Sequence, residues 1–559
     1  MTPDRGVDPI TLEVTRHALE SIVEEMIYTI LRNSQSSVVK LSMDFSTALC
    51  GPDGTLLVQG LSSALHLGAV PDMMRAVLRA FGDQIRPGDV YLTNDPYDGG
   101  MHIPDLFAVS PIHAEGRLLG FSVSVCHHVD MGGRVPGSIA ADSTEIYQEG
   151  LRLPPLRLVH AGRRDPGIFA VIAANTRLPE TVLADLEAQL AAAAAAERGV
   201  LDLAGRMGLD DYLGYAVELV DYSERLTRAA IAGWTDGTYA FTDWIDHDGL
   251  TASPLPISVQ LEVAGDGLVV GFEGTAGQTR GAINATLSST KAAVYAAVRF
   301  FLPAEVPNNE GFFRAIELRT RPGTLVHVAP PGACAARGNT MFRTFDAIIG
   351  ALSIAHPDRA FAASDGGSTG VSIGGFRADG SRFVLVDFFA ASWGARSDKD
   401  GVDGTATPAG NAVNEPVELL EAEYPIRIEE YGFVPDTGGP GRYRGGLAIR
   451  RSYRLLEGEA VLTVRSDRTE HPPPGLVGGH AGSPSETILH TSDGAQEMPA
   501  KFTVPFRAGE WFQHTMPGAG GYGDPATRDP ALVADDLRTG KITPSSADGA
   551  YAPSADHPE

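Results

Sequence analysis

The chain has 559 residues, 43% hydrophobic and 20% charged, an ordinary globular balance with length for several cores. A net charge of −26 excludes the basic surface that nucleic acid or the anionic face of a membrane requires. Three widely spaced cysteines, Cys50, Cys126 and Cys334, speak against a disulfide framework and a thiolate zinc cluster. The N-terminal MTPDRGVDPITLEV has neither the basic start nor the apolar run of a signal peptide, so a cytoplasmic protein is expected.

Asp8-Pro9 opens a helix, the aspartate as cap and the proline at the first position. Leu19, Ile22, Val23, Met26, Ile27, Ile30 and Leu31 then recur at spacings of three and four, one buried stripe. VVKLSMDFSTALC, a GPDG turn at 51–54 and TLLVQ read as a hairpin, with Asp44 on its first strand. PDMMRAVLRAF (71–81) reads as a helix. GDVYLTNDPYDGG starts as a strand and passes into a loop; LFAVSPI and LLGFSVSVCHH pair across a turn. After residue 180, two strong helix formers follow, then strands over 238–275, helices over 284–301 and 341–355, and short strands from about 370 to 515. The fold expected is α+β, a large mixed architecture with a metal-binding N-terminal part, a helical middle and a β-rich C-terminal part. Its expected divisions are 1–180, 181–235, 236–525 (completing the pocket) and a loosely ordered tail, 526–559.

Reactive groups are densest in NDPYDGGMHIPDLF (94–107) and CHHVDMGG (126–133), which hold Asp95, Asp98, His102, Asp105, His127, His128 and Asp130. His102 and Asp105 are three apart around Pro104, so one turn can aim both at one centre, and His127 ends a strand that can return beside it. With Asp44, two imidazoles and two carboxylates make a nitrogen/oxygen site suited to Zn²⁺, Mn²⁺ or Fe²⁺. The competing explanation is that HxxD arises by chance and that aspartates in NDP and YDGG serve turns. His66 is a candidate for lining the same pocket, Glu149 for a substrate contact or a loop anchor. Arg337 and Asn339 precede a helix whose start attracts anions, although capping explains Asn339 equally well. GGPGRYRGG (438–446) and GAGGYGDP (518–525) fit tight turns, and neither a P-loop nor a dinucleotide fingerprint occurs.

NDPYDGGMHIPDLFAV, CHHVDMGGRVPGS, EIYQEGLRLPP, YPIRIEEYGFVPDTGGPGRYRGG and PGAGGYGDP together resemble the hydantoinase B/oxoprolinase family, from the first helix to about residue 525. The resemblance implies one divalent metal, Zn²⁺ or Mn²⁺, held by Asp44, His102, Asp105 and His127. Adjacent His128 can exchange roles with His127, and in such a mechanism His128, Asp95 and Asp98 are the general-base candidates, which the sequence does not rank. The resemblance also implies an ATP-binding A-type partner subunit, resembling the actin-like kinases, that phosphorylates the substrate. The expected activity is ATP-dependent opening of a hydantoin, 5-oxoproline or lactam ring in a hetero-oligomer. The alternatives are a ketone carboxylase subunit of the acetone or acetophenone type and a non-catalytic scaffold.

Overall fold

The computed structural model describes residues 8–60, 66, 68–367, 369–410 and 413–552. Helix α1 (Pro9–Asn33) starts as its sequence predicts: the Asp8 carboxylate accepts from the Ile10 and Thr11 N–H groups. Leu19, Val23, Met26 and Ile30 are buried along one face. The next segment departs from the expected hairpin. Ser37–Lys40 is a single helical turn, α2, capped by the Ser36 hydroxyl. Met43 takes a positive φ of 57°, and the strand begins only at Phe45. Distant contacts outweigh the local strand pattern here: Ser37 Oγ bonds the Tyr424 hydroxyl and Ser42 donates to Glu415.

The N-terminal sheet has seven antiparallel strands in the order β2-β1-β5-β4-β3-β6-β7. They are β1 (Phe45–Cys50), β2 (Leu56–Gln59), β3 (Val90–Thr93), β4 (Asp105–Ala114), β5 (Arg117–His127), β6 (Leu156–His160) and β7 (Arg163–Arg164). Successive strand residues feed opposite cores, as the period of two requires: Phe45 and Leu49 face one, Ala48 and Cys50 the other. The first core is closed by α1 and the long helices α5 (Pro179–Met207) and α6 (Leu209–Ile231), which follow α3 (Ala69–Phe81) and α4 (Pro166–Asn175). Gly199 is needed where α5 meets α1, since a Cβ there would lie 2.8 Å from Ile22.

The opposite core joins the sheet to a four-stranded one, β8 (Gly237–Ile245), β9 (Leu255–Ala264), β10 (Gly267–Gly271) and β11 (Ile316–Arg319). Helices α7 (Leu287–Arg299), α8 (Glu310–Arg314) and α9 (Gly338–Ala355) complete this layer, α9 lying on β8 and β9. Met73, Phe107, Phe121, Val259, Val294 and Phe345 all belong to this core, so α3 and both sheets share one interior. The β-rich part holds two further sheets. One has the order β13-β12-β16-β19, from β12 (Thr369–Phe376), β13 (Arg382–Phe389), β16 (Glu459–Arg465) and β19 (Lys501–Arg507). The other has the order β14-β15-β20-β17-β18, from β14 (Ile426–Val434), β15 (Ala448–Leu455), β17 (Glu486–Thr491), β18 (Gly494–Glu497) and β20 (Trp511–Thr515), with helix α10 (Val417–Glu423) before it.

The polar segment after residue 525 differs from the loose tail its composition suggests. It forms α11 (Pro530–Arg538) and α12 (Pro544–Ala550). Buried Arg528 bonds both carboxylate oxygens of Asp400, at 2.7 and 2.8 Å, and Asp536 at 2.6 Å. Buried charged pairs, with buried Ile542 and Tyr551, hold this end, and distant charge pairing is not revealed by a hydrophobic pattern. Residues 553–559 lie outside the described residues. Among the described residues no helix is long and apolar enough to cross a membrane.

Candidate metal centre

The β4–β5 hairpin delivers the central groups. Asp105 opens β4 and His127 closes β5, and the two stand opposite each other in the ladder. The HxxD turn closes with Asp105 N–H on the His102 carbonyl, 3.0 Å, which brings His102 back over the strand end. Asp44, just before β1, accepts the His127 N–H on its own carbonyl at 3.0 Å. Residues from three segments separated in the sequence thus meet at one end of the sheet.

His102, Asp105 and His127 are buried, and one potential ligand atom from each lies within 4.8 Å of the others. His102 Nδ1 donates to the Ala335 carbonyl at 3.0 Å, which leaves the Nε2 lone pair facing Asp105 Oδ1 at 3.2 Å. Lone pair against carboxylate oxygen is repulsive unless a cation lies between them. His102 Nε2, Asp105 Oδ1 and both ring nitrogens of His127 are buried without a hydrogen-bond partner. One unsatisfied atom from each of the three residues forms a donor set that fits a divalent ion. Burial and the Arg337 charge push the His102 imidazole down, and burial with His102 nearby holds His127 well below its usual value. Both are therefore neutral, the form that binds metal. Against its burial, the paired Arg337 guanidinium holds the Asp105 carboxyl well below the usual carboxylate range.

Asp44 stands at the edge of this group. Its carboxylate is outside the 4.8 Å cluster, its side chain is 17% exposed, and Oδ1 is 3.8 Å from His66 Nε2. Burial and the Asp105 charge push its carboxyl up to about 7, against Arg337 and Arg465. His66 does line the site: its Nδ1 bonds Ser46 Oγ at 3.0 Å, and burial pushes the imidazole down to about 4.

The three residues read as general-base candidates are not brought to this centre. His128 faces helix α5, its Nε2 3.1 Å from Gln189 Oε1, on the other side of the strand from His127. Adjacent residues of a strand point to opposite faces, so one of the two histidines had to be turned away. Asp95 accepts the Tyr97 N–H at 3.1 Å, an Asx turn. Asp98 is on the surface, paired with Arg79 of α3.

The later half of the chain supplies the rest of the shell. Arg337 Nη2 donates to Asp105 Oδ2 at 2.6 Å, both side chains buried. Phe388 of β13 meets the His127 ring edge-on at 5.4 Å, and Arg465 of β16 lies over the same phenyl ring at 5.1 Å. Arg465 and Phe388 carry no local signal: each reads as an ordinary residue at a strand end.

Glu149 is a loop anchor. It accepts the N–H groups of Cys334 and Ala335 at 2.7 and 2.9 Å, the loop whose Ala335 carbonyl holds His102. Burial pushes its carboxyl up to about 8, so a neutral amide can take its place. Glu149→Gln is expected to melt within about 1 kcal/mol of wild type. Glu149→Ala strands two buried N–H groups, expected to cost about 2–5 kcal/mol, and should weaken metal binding about 10–100-fold. Thermal melts and metal titration of both variants check this; equal metal affinity in Glu149→Ala would show that the loop does not set His102.

A family profile described as hydantoinase B/oxoprolinase matches residues 8–525. The caprolactamase subunit beta of Pseudomonas jessenii is 33% identical over 557 residues, covering 97% of this chain and 95% of that protein. The 5-oxoprolinase 1 of Arabidopsis thaliana is 28% identical over 545 residues, 92% of this chain but 42% of that longer protein. The crystal structure of the ATP-dependent caprolactamase from P. jessenii superimposes with a TM-score of 0.92 at 30% identity, covering 99% of this chain and 98% of that one.

Proposed function

The chain belongs to the hydantoinase B/oxoprolinase family, and from that membership we propose that it is the metal-bearing subunit of an ATP-dependent enzyme that opens a cyclic amide. The observation that carries the proposal is the set of buried, unpartnered atoms on His102, Asp105 and His127. These three residues would hold one divalent ion, Zn²⁺ or Mn²⁺, with Asp44 joining from the edge of the group. When bound, the ion supplies Lewis acidity toward a carbonyl or phosphoryl oxygen.

The chain's own residues do the positioning. The Ala335 carbonyl fixes the His102 tautomer, and Arg337 orients Asp105 through one oxygen while leaving the other free. Phe388 covers the His127 side and keeps water from that edge. An amide resists water because its carbonyl is resonance-stabilised. Phosphorylation of the amide oxygen by an A-type, ATP-using partner subunit removes that resonance and creates a leaving group. The relatives' names, caprolactamase and 5-oxoprolinase, support a lactam or oxoproline ring as substrate.

The test is substrate-dependent ADP release by this chain purified with its A-type partner. 5-Oxoproline, hydantoins, small lactams and acetophenone are offered, each with and without bicarbonate. ADP with ring-opened product, indifferent to bicarbonate, is the expected result. A strict bicarbonate requirement would replace the hydrolase by a ketone carboxylase. No metal and no ADP with any substrate would leave a scaffold.

A further inference from the structure

Arg465 is the last residue of β16 and 6% exposed. Among the described residues it donates no hydrogen bond and has no carboxylate within ion-pair distance; the Phe388 ring is what its guanidinium meets. Other buried arginines differ: Arg337, Arg343, Arg451 and Arg468 each pair with an aspartate at 2.6–3.1 Å. A buried guanidinium left unpaired is costly, and proteins keep such a group where something outside the fold completes it.

Its seat is built for it. The guanidinium passes over Gly370 of β12, where a Cβ would lie 2.3 Å from Nε. Its Nη1 reaches Gly338, the first residue of α9, where a Cβ would lie at 3.4 Å. The positive end of a helix dipole therefore adds to the guanidinium charge. Asn339, Gly367 and Arg465 line a cleft with about 10 Å³ of free space, room for one water-sized atom. Asp365 and Asp467 border it too, but both are engaged. Asp365 accepts the Gly367 and Ala391 N–H groups, and Asp467 pairs with Arg343 and Lys501. The metal centre adjoins it, since Phe388 touches both Arg465 and His127.

We infer that Arg465 receives a phosphoryl oxygen of the activated substrate beside the metal ligands, an inference that rests on the function proposed above. An unpaired guanidinium beside the start of a helix selects an anion, and its planar fork of donors suits the oxygens of a phosphoryl group.

Inorganic phosphate is the probe, titrated calorimetrically into the full chain, metal-free and metal-loaded, for wild type, Arg465→Gln and Gly370→Ala. Arg465→Gln is expected to bind phosphate at least about tenfold more weakly in both states, and Gly370→Ala to reproduce the loss by displacing the guanidinium. Because Arg465 makes no internal bond, Arg465→Gln should melt at or above the wild-type temperature without ligand. Unchanged phosphate affinity in Arg465→Gln overturns the inference, as does binding of acetate or bicarbonate in preference to phosphate. A large fall in melting temperature with phosphate affinity retained would make Arg465 a structural cation and also overturn it. ADP release that persists with unchanged KM in Arg465→Gln sinks the inference while sparing the proposed function. Arg465-dependent phosphate binding without any ADP release does the reverse.

Discussion

His127→Ala is expected to lose stoichiometric metal and to drop substrate-dependent turnover by more than the roughly 10–100-fold typical of an outer-shell partner. Neither ring nitrogen of His127 makes a hydrogen bond, so its removal breaks nothing else in the polar network. The variant should stay folded, and metal content by elemental analysis then reads the ligand role directly. A companion substitution sharpens the test. His127→Leu fills the same space and removes two buried, unsatisfied nitrogens, so the metal-free variant should be more stable than metal-free wild type by about 1–2 kcal/mol. Such a trade of stability for activity is what a site poised for a ligand predicts. Full metal loading in either variant would remove His127 from the centre.

Arg337→Met should be the most destabilising single change at the site. The Arg337–Asp105 pair is buried, and breaking one side of such a pair costs about 3–5 kcal/mol because the other charge is left uncompensated. Two measurements separate this from simple loss of packing. Arg337→Met with Asp105→Asn should recover part of the loss, which a double-mutant cycle by denaturant unfolding would read. Added divalent metal should also rescue Arg337→Met more than it stabilises wild type, since the ion supplies the missing positive charge to Asp105. A loss that metal leaves untouched would mean that Arg337 acts only through packing.

Much of this was legible in the residues because it is local. The α1 stripe, the β4–β5 pairing and the HxxD turn are each written within a few tens of residues, and the structure places them as read. The α+β class follows from such patterns. Asp44 was read onto a strand, yet it sits before one, because Met43 turns the chain in a way no alternation of polar and apolar residues encodes. His128 looked as reactive as His127; strand pairing decides which faces the centre, and Gln189, from a helix some sixty positions later, settles the other. Arg465 stayed invisible because its distinction is a lack of partners, a property of the folded molecule alone. The tail's order escaped for a related reason, as the Arg528 and Asp536 charges lock onto a surface built elsewhere.

The His102–Ala335 and Asp105–Arg337 bonds join residues 233 and 232 positions apart. At typical synthesis rates the ribosome needs roughly 10–45 s to make that stretch. Throughout this interval the nascent N-terminal sheet would carry the liganding side chains without the groups that orient them or balance Asp105. If the proposed centre holds its ion, high-affinity uptake waits for the Ala335 carbonyl and the Arg337 guanidinium, and a polypeptide released before residue 337 would present a weak, unselective site.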